Sequence, residues 1–227
     1  MDMKCILCEG NTIKIHHPNM MVDYHRCQEC DFIFKDEKFI VTPEEELKIY
    51  NNHNNSIDDP RYVAFFYRFL NDAVFPYTNN KKNGFDFGSG PSPVLAQILE
   101  RDHGYKMDIH DLFYAPGKRH IGKKYDLITS TEVVEHLKNP LPTFRMLKNL
   151  LEPDGILAVM TLFHHRDDAH FLNWHYIRDK SHISFYTPKT MEYIAGQVGL
   201  RVIHSNHERY TTFALHDYTA ADSHSLD

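Results

Sequence analysis

Several features that would assign this chain to a common protein class are missing from its sequence. No apolar run approaches the ~18 to 20 residues of a membrane-spanning helix, and the first residues do not form a signal peptide. The formal net charge is -6 at pH 7, so no broad basic surface for nucleic acid is expected. Internal repeats are absent as well. We therefore expect a soluble, cytoplasmic protein with no membrane span and no general affinity for nucleic acid, while the composition leaves the oligomeric state open.

Cysteine is scarce, and its placement is informative. The four cysteines form two Cys-x-x-Cys pairs separated by eighteen residues, namely Cys5, Cys8, Cys27 and Cys30. This spacing is typical of a four-thiolate zinc site, in which two tight turns each supply two ligands. The alternatives are two disulfides, which a cytosolic chain disfavours, or a redox-active pair, which normally occurs once and beside a βαβ unit. The spacing predicts structural Zn2+.

The segment around these cysteines reads as a small β unit. Residues 12–15 and 21–25 alternate in polarity and can form a hairpin, and residues 31–34 can add a third strand. This pattern predicts a zinc-ribbon-like domain over residues 1–42. Such a ribbon can hold nucleic acid, dock a partner or brace the next domain, and its acidic charge balance favours bracing or a wall of a substrate cleft.

With 227 residues and 42% hydrophobic residues, the chain can bury one α/β domain beyond this ribbon. Two helices should connect them over residues 43–83. The first begins at Thr42 and Pro43 and ends near Tyr50, and the second begins at Asp59 with an aromatic face.

A glycine-rich turn follows the connecting helices. A short buried strand ends at Phe87, Gly88 and Gly90 form the turn, and a helix should open at Ser92 and Pro93. Glycines at a strand-to-helix turn allow positive φ and let a flat cofactor lie against bare backbone. A dinucleotide fingerprint would need a third glycine where Pro93 stands, so an NAD site is not expected.

The turn resembles motif I of the class I S-adenosylmethionine-dependent methyltransferases, with Asp86, Gly88 and Gly90 in place and Ser92 at the last glycine. Two further segments resemble the family in the same order. Residues 124–137 match its fourth strand, and residues 147–157 match the approach to its fifth, with Pro153-Asp154-Gly155 for Pro-Gly-Gly. The resemblance implies a Rossmann-like, doubly wound α/β fold with a mostly parallel sheet over residues 84–216, and a tail over 217–227.

The resemblance also implies a cofactor site for S-adenosylmethionine. In this family an acid after the second strand binds both ribose hydroxyls, and Asp111 has that position, with Asp108 as the alternative. Only residues 115–124 stand where the family has a further helix and strand, so that element should be shortened or missing, and no adenine-binding acid is assigned. Tyr50 and Tyr62 are candidates for a lid over the cofactor. The implied cofactor-binding residues are Asp86, Gly88, Ser89, Gly90, Asp111 and Thr131.

Glu132, Glu135 and His136 would share one face if they begin a helix. Similar residues, with a later histidine, hold a divalent ion in the ubiquinone-biosynthesis O-methyltransferases and the small-RNA 2′-O-methyltransferases. By position, the ligands of Mg2+ or another divalent ion here would be Glu132, Glu135, His136 and His182. The alternative is an ordinary helix start and cleft wall. Without a metal, His136 or His182 could act as a catalytic general base.

The sequence thus predicts methyl transfer from S-adenosylmethionine to a small-molecule acceptor, with a hydroxyl oxygen as the expected target. Residues 163–180, rich in histidine and aromatics, form either a substrate-side insert or packing. Two alternatives stay open at this point. One is an RNA methyltransferase that uses the ribbon for binding, and the other is a non-catalytic module that binds a cofactor or a partner.

Overall fold

A computed structural model describes residues 3–51 and 56–218, which build two β-sheets with helices around them. The smaller sheet is antiparallel and has the order β1-β2-β3-β8. Its strands are β1 (Thr12–His17), β2 (Val22–Cys27), β3 (Ile33–Lys35) and β8 (Ser184–Phe185). The predicted hairpin and third strand are present, but the fourth strand comes from the far end of the chain.

The larger sheet has six strands in the order β5-β4-β6-β7-β10-β9. The strands are β4 (Asn83–Phe87), β5 (Lys106–His110), β6 (Tyr125–Thr131), β7 (Leu151–Met160), β9 (Leu200–Ser205) and β10 (Tyr210–Leu215). Neighbouring strands from β5 to β7 pair in parallel, and only β10 pairs antiparallel, with β7 and β9. The mostly parallel sheet is confirmed. Within the described residues β5 is an edge, as the short connection over residues 111–124 predicts.

Six α-helices surround the sheets in the described part of the chain. They are α1 (Pro43–Tyr50), α2 (Pro60–Phe69), α3 (Val94–His103), α4 (Pro140–Asn149), α5 (Asp168–Asn173) and α6 (Pro188–Val198). Short 3-10 turns lie at Glu37–Phe39, Phe75–Tyr77, Val134–His136 and His175–Arg178, and a π turn at Leu70–Val74. No helix in residues 3–51 and 56–218 is long and apolar enough to cross a bilayer.

The helices cover both faces of the larger sheet, as in a doubly wound fold. One core cluster joins the sheet to α2 and α3 through residues such as Phe69 and Ile98. The other joins it to α4 and α6 through Phe144 and Ile194. Capping explains where two of the helices start: the Thr42 and Thr187 hydroxyls each accept a hydrogen bond from the backbone N–H three residues later.

The N-terminal segment shares its core with the larger sheet. We call residues 4–36 the four-cysteine unit. Cys27, Cys30 and Phe32 belong to the same buried cluster as Tyr186 and the α6 side chains. The Thr190 hydroxyl donates to the Cys30 carbonyl at 2.8 Å. The unit is therefore packed into the fold rather than attached by a linker.

A third cluster packs residues 171–177 against the smaller sheet. The chain's single tryptophan, Trp174, packs there with Tyr24, Phe171 and Phe185. Residues 163–180 thus contribute packing as well as lining for the cleft described below.

The predicted tail begins later than expected. Tyr218 is buried, its hydroxyl donates to the Tyr77 carbonyl at 2.8 Å, and Arg201 donates to the Tyr218 carbonyl at 2.6 Å. The expectation of a tail was therefore wrong for residues 217–218, because an aromatic ring there completes the core beside α2. Residues 219–227 of that tail, and residues 52–55 of the predicted helix break, lie outside the described residues.

Candidate active site

A cleft of about 700 Å³ opens at the carboxyl ends of β4, β5 and β6, where open α/β sheets bind ligands. The residues expected to bind the cofactor all line it: Asp86, Gly88, Ser89, Gly90, Asp111 and Thr131. Helices α1 and α2 close the cleft from one side and residues 175–182 from another. The predicted lid residues Tyr50 and Tyr62 are part of its wall.

Glycine is required at the two positions of the turn for different structural reasons. Gly88 has φ +84°, and a Cβ there would lie 2.2 Å from Val133 Cγ2. Gly90 has φ +67°, and a Cβ there would meet no atom within 4 Å. Close packing thus requires Gly88, whereas Gly90 borders open space. Helix α3 begins at Val94 rather than at Ser92 as expected, because Pro93 has ψ 59°, outside the helical range.

Asp86 is the next-to-last residue of β4 and is buried at the inner wall of the cleft. Its carboxylate accepts a hydrogen bond from the Thr129 hydroxyl at 2.8 Å. Burial raises the pKa of Asp86 to about 6, because the charged form loses its water. The charge of this residue is therefore costly to the fold.

Asp111 receives three backbone hydrogen bonds. Its Oδ2 accepts from the Gly90 N–H at 2.9 Å, and its Oδ1 accepts from the N–H groups of Phe113 and Tyr114 at 2.9 and 3.0 Å. Asp108, the alternative, points elsewhere: it binds Lys123 at 2.6 Å and the Tyr125 hydroxyl at 2.8 Å. Only Asp111 of the two lines the cleft.

The expected helix through Glu132, Glu135 and His136 is absent, and this expectation was wrong. Glu132 has φ +54°, and only a short 3-10 turn, Val134–His136, follows it. The local reason is that the Glu132 N–H still pairs with the Met160 carbonyl at 2.9 Å as an extension of the sheet. Val133, the next residue, packs against Gly88 of the glycine turn.

Two buried carboxylates nevertheless meet around one hydroxyl. The Tyr176 Oη atom lies 2.5 Å from Glu135 Oε1 and 3.0 Å from Glu132 Oε2. Burial raises the pKa of both glutamates, and the charge of Glu132 raises that of Glu135 further. The second oxygens, Glu132 Oε1 and Glu135 Oε2, receive no hydrogen bond from the described residues.

His136 and His182 lie beside Glu135, with their ring centroids 4.9 Å apart. His182 Nδ1 is 2.8 Å from the Tyr176 carbonyl, and His136 Nδ1 is 3.1 Å from the Ser181 carbonyl. In neutral rings each Nδ1–H donates to its carbonyl, which turns Nε2 into the acceptor.

Of the four predicted divalent-ion ligands, Glu135, His136 and His182 present ligand atoms within 4.8 Å of one another. Glu132 is not in this group, although its Oε2 and Glu135 Oε1 contact the same Tyr176 hydroxyl. Its part in the expected ligand set stays a prediction.

Some cleft residues were missed by the sequence analysis. Glu46 lies 3.8 Å from His136 Nδ1 and accepts a hydrogen bond from the Tyr50 hydroxyl at 2.8 Å. Asp179 lies 3.8 Å from His182 Nε2, and Arg209 lines the opposite wall. In the sequence, Glu46 is one of several acids at a helix start, and Arg209 lies in the turn between β9 and β10. No sequence pattern therefore indicated that either residue lies at the cleft.

The four cysteine thiols come together within the four-cysteine unit. The Sγ atoms of Cys5 and Cys30 are 3.7 Å apart, those of Cys8 and Cys27 are 3.3 Å apart, and all four lie within 4.8 Å. Backbone N–H groups of Leu7, Glu29 and Cys30 donate to the sulfurs. Thiolates around a tetrahedral zinc ion lie about 3.8 Å apart, close to these separations.

Known proteins were compared with this chain. A family model described as a methyltransferase domain matches residues 60–205. A ubiquinone biosynthesis O-methyltransferase of Glaesserella parasuis serovar 5 (strain SH0165) is 45% identical over 40 residues. That match covers 18% of this chain and 17% of the relative's length.

Solved structures of O-methyltransferases are similar in fold. A mitomycin 7-O-methyltransferase matches with a TM-score of 0.50 and 14% identity, over 78% of this chain and 70% of that chain. An O-methyltransferase of neocarzinostatin biosynthesis, solved with S-adenosyl-L-homocysteine and 1,4-dihydroxy-2-naphthoic acid, matches with a TM-score of 0.51 and 12% identity. This match covers 77% of this chain and 62% of that chain.

The family match spans the glycine turn, Asp111 and the Glu135–His136 turn, so the cleft lies mostly inside the matched region. The fold of the larger sheet agrees with it. The chain therefore belongs to the methyltransferase-domain family.

Proposed function

We propose that this enzyme methylates a hydroxyl oxygen of a small-molecule acceptor. The observation that carries the proposal is that the glycine turn lines the same cleft as His136 and His182, with the buried Glu135 beside the two imidazoles. A cofactor on the turn and a hydroxyl beside the imidazoles would then meet across a short distance, as in-line methyl transfer requires.

The cofactor half of the cleft suits S-adenosylmethionine. Bare backbone at Gly88 and Gly90 leaves room for a flat ligand, and the Ser89 hydroxyl, buried and without a hydrogen-bond partner in the described chain, can donate to it. Asp111, already oriented by three N–H groups, would accept hydrogen bonds from both ribose hydroxyls. Asp86 and Thr131 would complete this half.

The acceptor half offers a base for the hydroxyl proton. His182 and His136 direct Nδ1 at carbonyl oxygens, so each Nε2 can accept a proton. Tyr176 donates its single proton to one buried glutamate at a time and holds both carboxylates in place. Tyr50, whose ring lies 5.3 Å from that of His136, restricts water on this side.

The same residues fit a divalent ion. Glu135, His136 and His182 form a donor set of one carboxylate and two imidazoles, and Glu135 Oε2 is buried without a hydrogen bond from the described residues. When bound, Mg2+ or a related ion would lower the pKa of the acceptor hydroxyl and orient its oxygen.

Charge in the cleft favours a small molecule over RNA. The carboxylates that face the cleft are Glu46, Asp86, Asp111, Glu132 and Asp179. Among the described lining residues, Arg209 alone carries a permanent positive charge. A phosphate backbone would be repelled from such a surface.

The thiols of Cys5, Cys8, Cys27 and Cys30 are proposed to hold a structural Zn2+. Their mutual separations and the N–H groups directed at the sulfurs support this assignment. Metal analysis of the purified protein is expected to find one zinc per chain, lost in a Cys8→Ser, Cys27→Ser double variant. Full zinc retention in that variant would refute the assignment.

The acceptor chemistry is tested with methyl-labelled S-adenosylmethionine and a panel of hydroxylated aromatic compounds, each paired with its amine analogue. We expect label on hydroxyl acceptors, stimulated by Mg2+, and its loss in His182→Ala. Label on the amines alone would overturn the proposal. Titration of S-adenosylhomocysteine by calorimetry tests the cofactor half separately.

A further inference from the structure

The segment that carries Asp179 and His182 is held from two sides. We call residues 179–185 the His182 segment. On the cleft side, the Ile183 N–H donates to the Glu135 carbonyl at 2.8 Å, and His136 Nδ1 lies 3.1 Å from the Ser181 carbonyl. These contacts tie the segment to the other residues of the acceptor half.

On its outer side the His182 segment joins the four-cysteine unit. Strand β8 at its end pairs with β3, with Ile33 opposite Phe185. The Lys35 N–H donates to the Ile183 carbonyl at 2.8 Å. The backbone of Ile183 therefore connects the four-cysteine unit to the Glu135 turn through a single residue.

Lys35 adds a side-chain contact to this pairing. Its ammonium donates to the Lys180 carbonyl at 2.7 Å, and the residue is only 4% exposed. Burial lowers the pKa of Lys35 to about 8, whereas the nearby charge of Asp179 acts in the opposite direction. An ammonium in such a place costs free energy, so an apolar side chain would serve packing better.

We propose that Lys35 is a positioning residue for the acceptor half of the cleft. It holds the backbone at Lys180, and through it the placement of Asp179 and His182, from the four-cysteine unit. The inference rests on the proposed function in that His182 faces the acceptor. By this proposal, the four-cysteine unit helps to position the residues that face the acceptor and has no part in cofactor binding.

The test is hydrogen exchange measured by mass spectrometry on the full chain with its zinc retained. Lys35→Met keeps the length of the side chain and removes the donor. Lys14→Met is the matched control, because Lys14 is a cation of the same sheet whose ion pair with Asp23, at 2.9 Å, lies within the four-cysteine unit. Lys35→Arg keeps a long cationic donor.

Lys35→Met is expected to raise exchange in residues 179–185 on the order of tenfold, the loss of one hydrogen bond to a charged group. Exchange in residues 84–100, S-adenosylhomocysteine affinity and the melting temperature should change little. In Lys14→Met, exchange in residues 179–185 should equal that of the parent chain. In Lys35→Arg, most of the protection of these residues against exchange should be retained.

Unchanged exchange in residues 179–185 of Lys35→Met would overturn the proposal. So would faster exchange spread equally over residues 84–100, because that pattern marks a general structural role. A second measurement is the affinity for Mn2+, titrated alone. Lys35→Met is expected to bind Mn2+ more weakly than Lys14→Met. If the parent chain binds no Mn2+, the proposed divalent ion fails, while the exchange result still decides the role of Lys35.

Discussion

At the scale of single residues, the carboxylate of Asp111 organises the cofactor half before any ligand arrives. Three N–H groups converge on it, one of them from Gly90 of the turn. The residue thus links the end of β5 to the turn after β4. Because backbone N–H groups already orient this carboxylate, binding a ribose requires little rearrangement.

Asp111→Asn tests this role. The amide cannot accept hydrogen bonds at both atoms, so we expect S-adenosylhomocysteine affinity to fall about 10- to 100-fold by calorimetry. The matched control is Asp108→Asn, because Asp108 lies on β5 shortly before Asp111 and binds Lys123 rather than lining the cleft. Equal losses in both variants would contradict the assignment of the ribose to Asp111.

Asp86→Asn is expected to stabilise the protein at neutral pH. The difference between a pKa of 3.8 and one of about 6 corresponds to about 3 kcal/mol as an upper limit. A raised pKa in the folded state means that the parent chain loses stability as pH rises from about 4 to 6. The gain from Asp86→Asn should therefore be largest at pH 7.5 and shrink near pH 5.

Thermal unfolding of Asp86→Asn and the parent chain at both pH values measures this effect. Asn keeps an acceptor for the Thr129 hydroxyl, so the comparison isolates the charge. Asp108→Asn again serves as the control, since the partly exposed Asp108 has its pKa lowered rather than raised. A gain that is independent of pH would argue against a buried charge at Asp86.

At the scale of elements, the structure of the glycine turn predicts different effects on stability and on cofactor binding for the same substitution at Gly88 and at Gly90. Gly88→Ala should lower the free energy of unfolding by roughly 2 to 5 kcal/mol, since positive φ and the contact with Val133 act together. Gly90→Ala should cost only about 1 to 2 kcal/mol, yet weaken S-adenosylhomocysteine binding, because its Cβ enters open space at the cleft.

Chemical denaturation and calorimetry on both variants check these expectations. Adding Val133→Ala to Gly88→Ala removes the nearest atoms and should recover part of the lost stability. If Gly90→Ala binds S-adenosylhomocysteine as tightly as the parent chain, the cofactor does not lie against Gly90.

Sequence patterns predicted the elements well where local signals were strong. The capped start at Thr42, the turn at Gly88 and Gly90 and the β1–β2 hairpin are specified by residues close in the chain. In the described residues β5 is the edge of the larger sheet, next to the short connection that follows it. The sheet itself agreed with the resemblance to class I methyltransferases.

Prediction failed where distant contacts decide the local structure. Glu132 keeps its sheet pairing with Met160 instead of entering a helix, and sequence spacing alone cannot reveal such a competition. Glu46 reaches the site because α1 folds over the cleft, about 90 residues before His136 in sequence. Lys35 was equally invisible, because its partner at Lys180 is remote in the chain.

At the scale of the whole molecule, the shared core predicts one cooperative unit. Cys27, Cys30 and Phe32 lie in one cluster with Phe144 and Ile194. Heating should therefore release the proposed zinc and change Trp174 fluorescence in a single transition. Cys27→Ser should lower the free energy of unfolding by more than about 2 kcal/mol, through loss of the metal and of a buried contact.

Parallel measurements of zinc release, fluorescence and far-UV circular dichroism decide this point. Lys14→Met is a suitable control, since it changes the same sheet at an exposed position. Two well-separated transitions would show that the four-cysteine unit unfolds independently of the larger sheet.

The place of β8 in the smaller sheet sets an order for folding during synthesis. Phe34 pairs with Ser184, so about 150 residues must leave the ribosome after β3 before its partner strand exists. At about 5 to 20 residues per second, this delay lasts on the order of 10 to 30 seconds. The smaller sheet therefore starts to form first and is completed among the last. Until β8 is made, β3 is an unpaired edge strand to which chaperones or neighbouring nascent chains can bind.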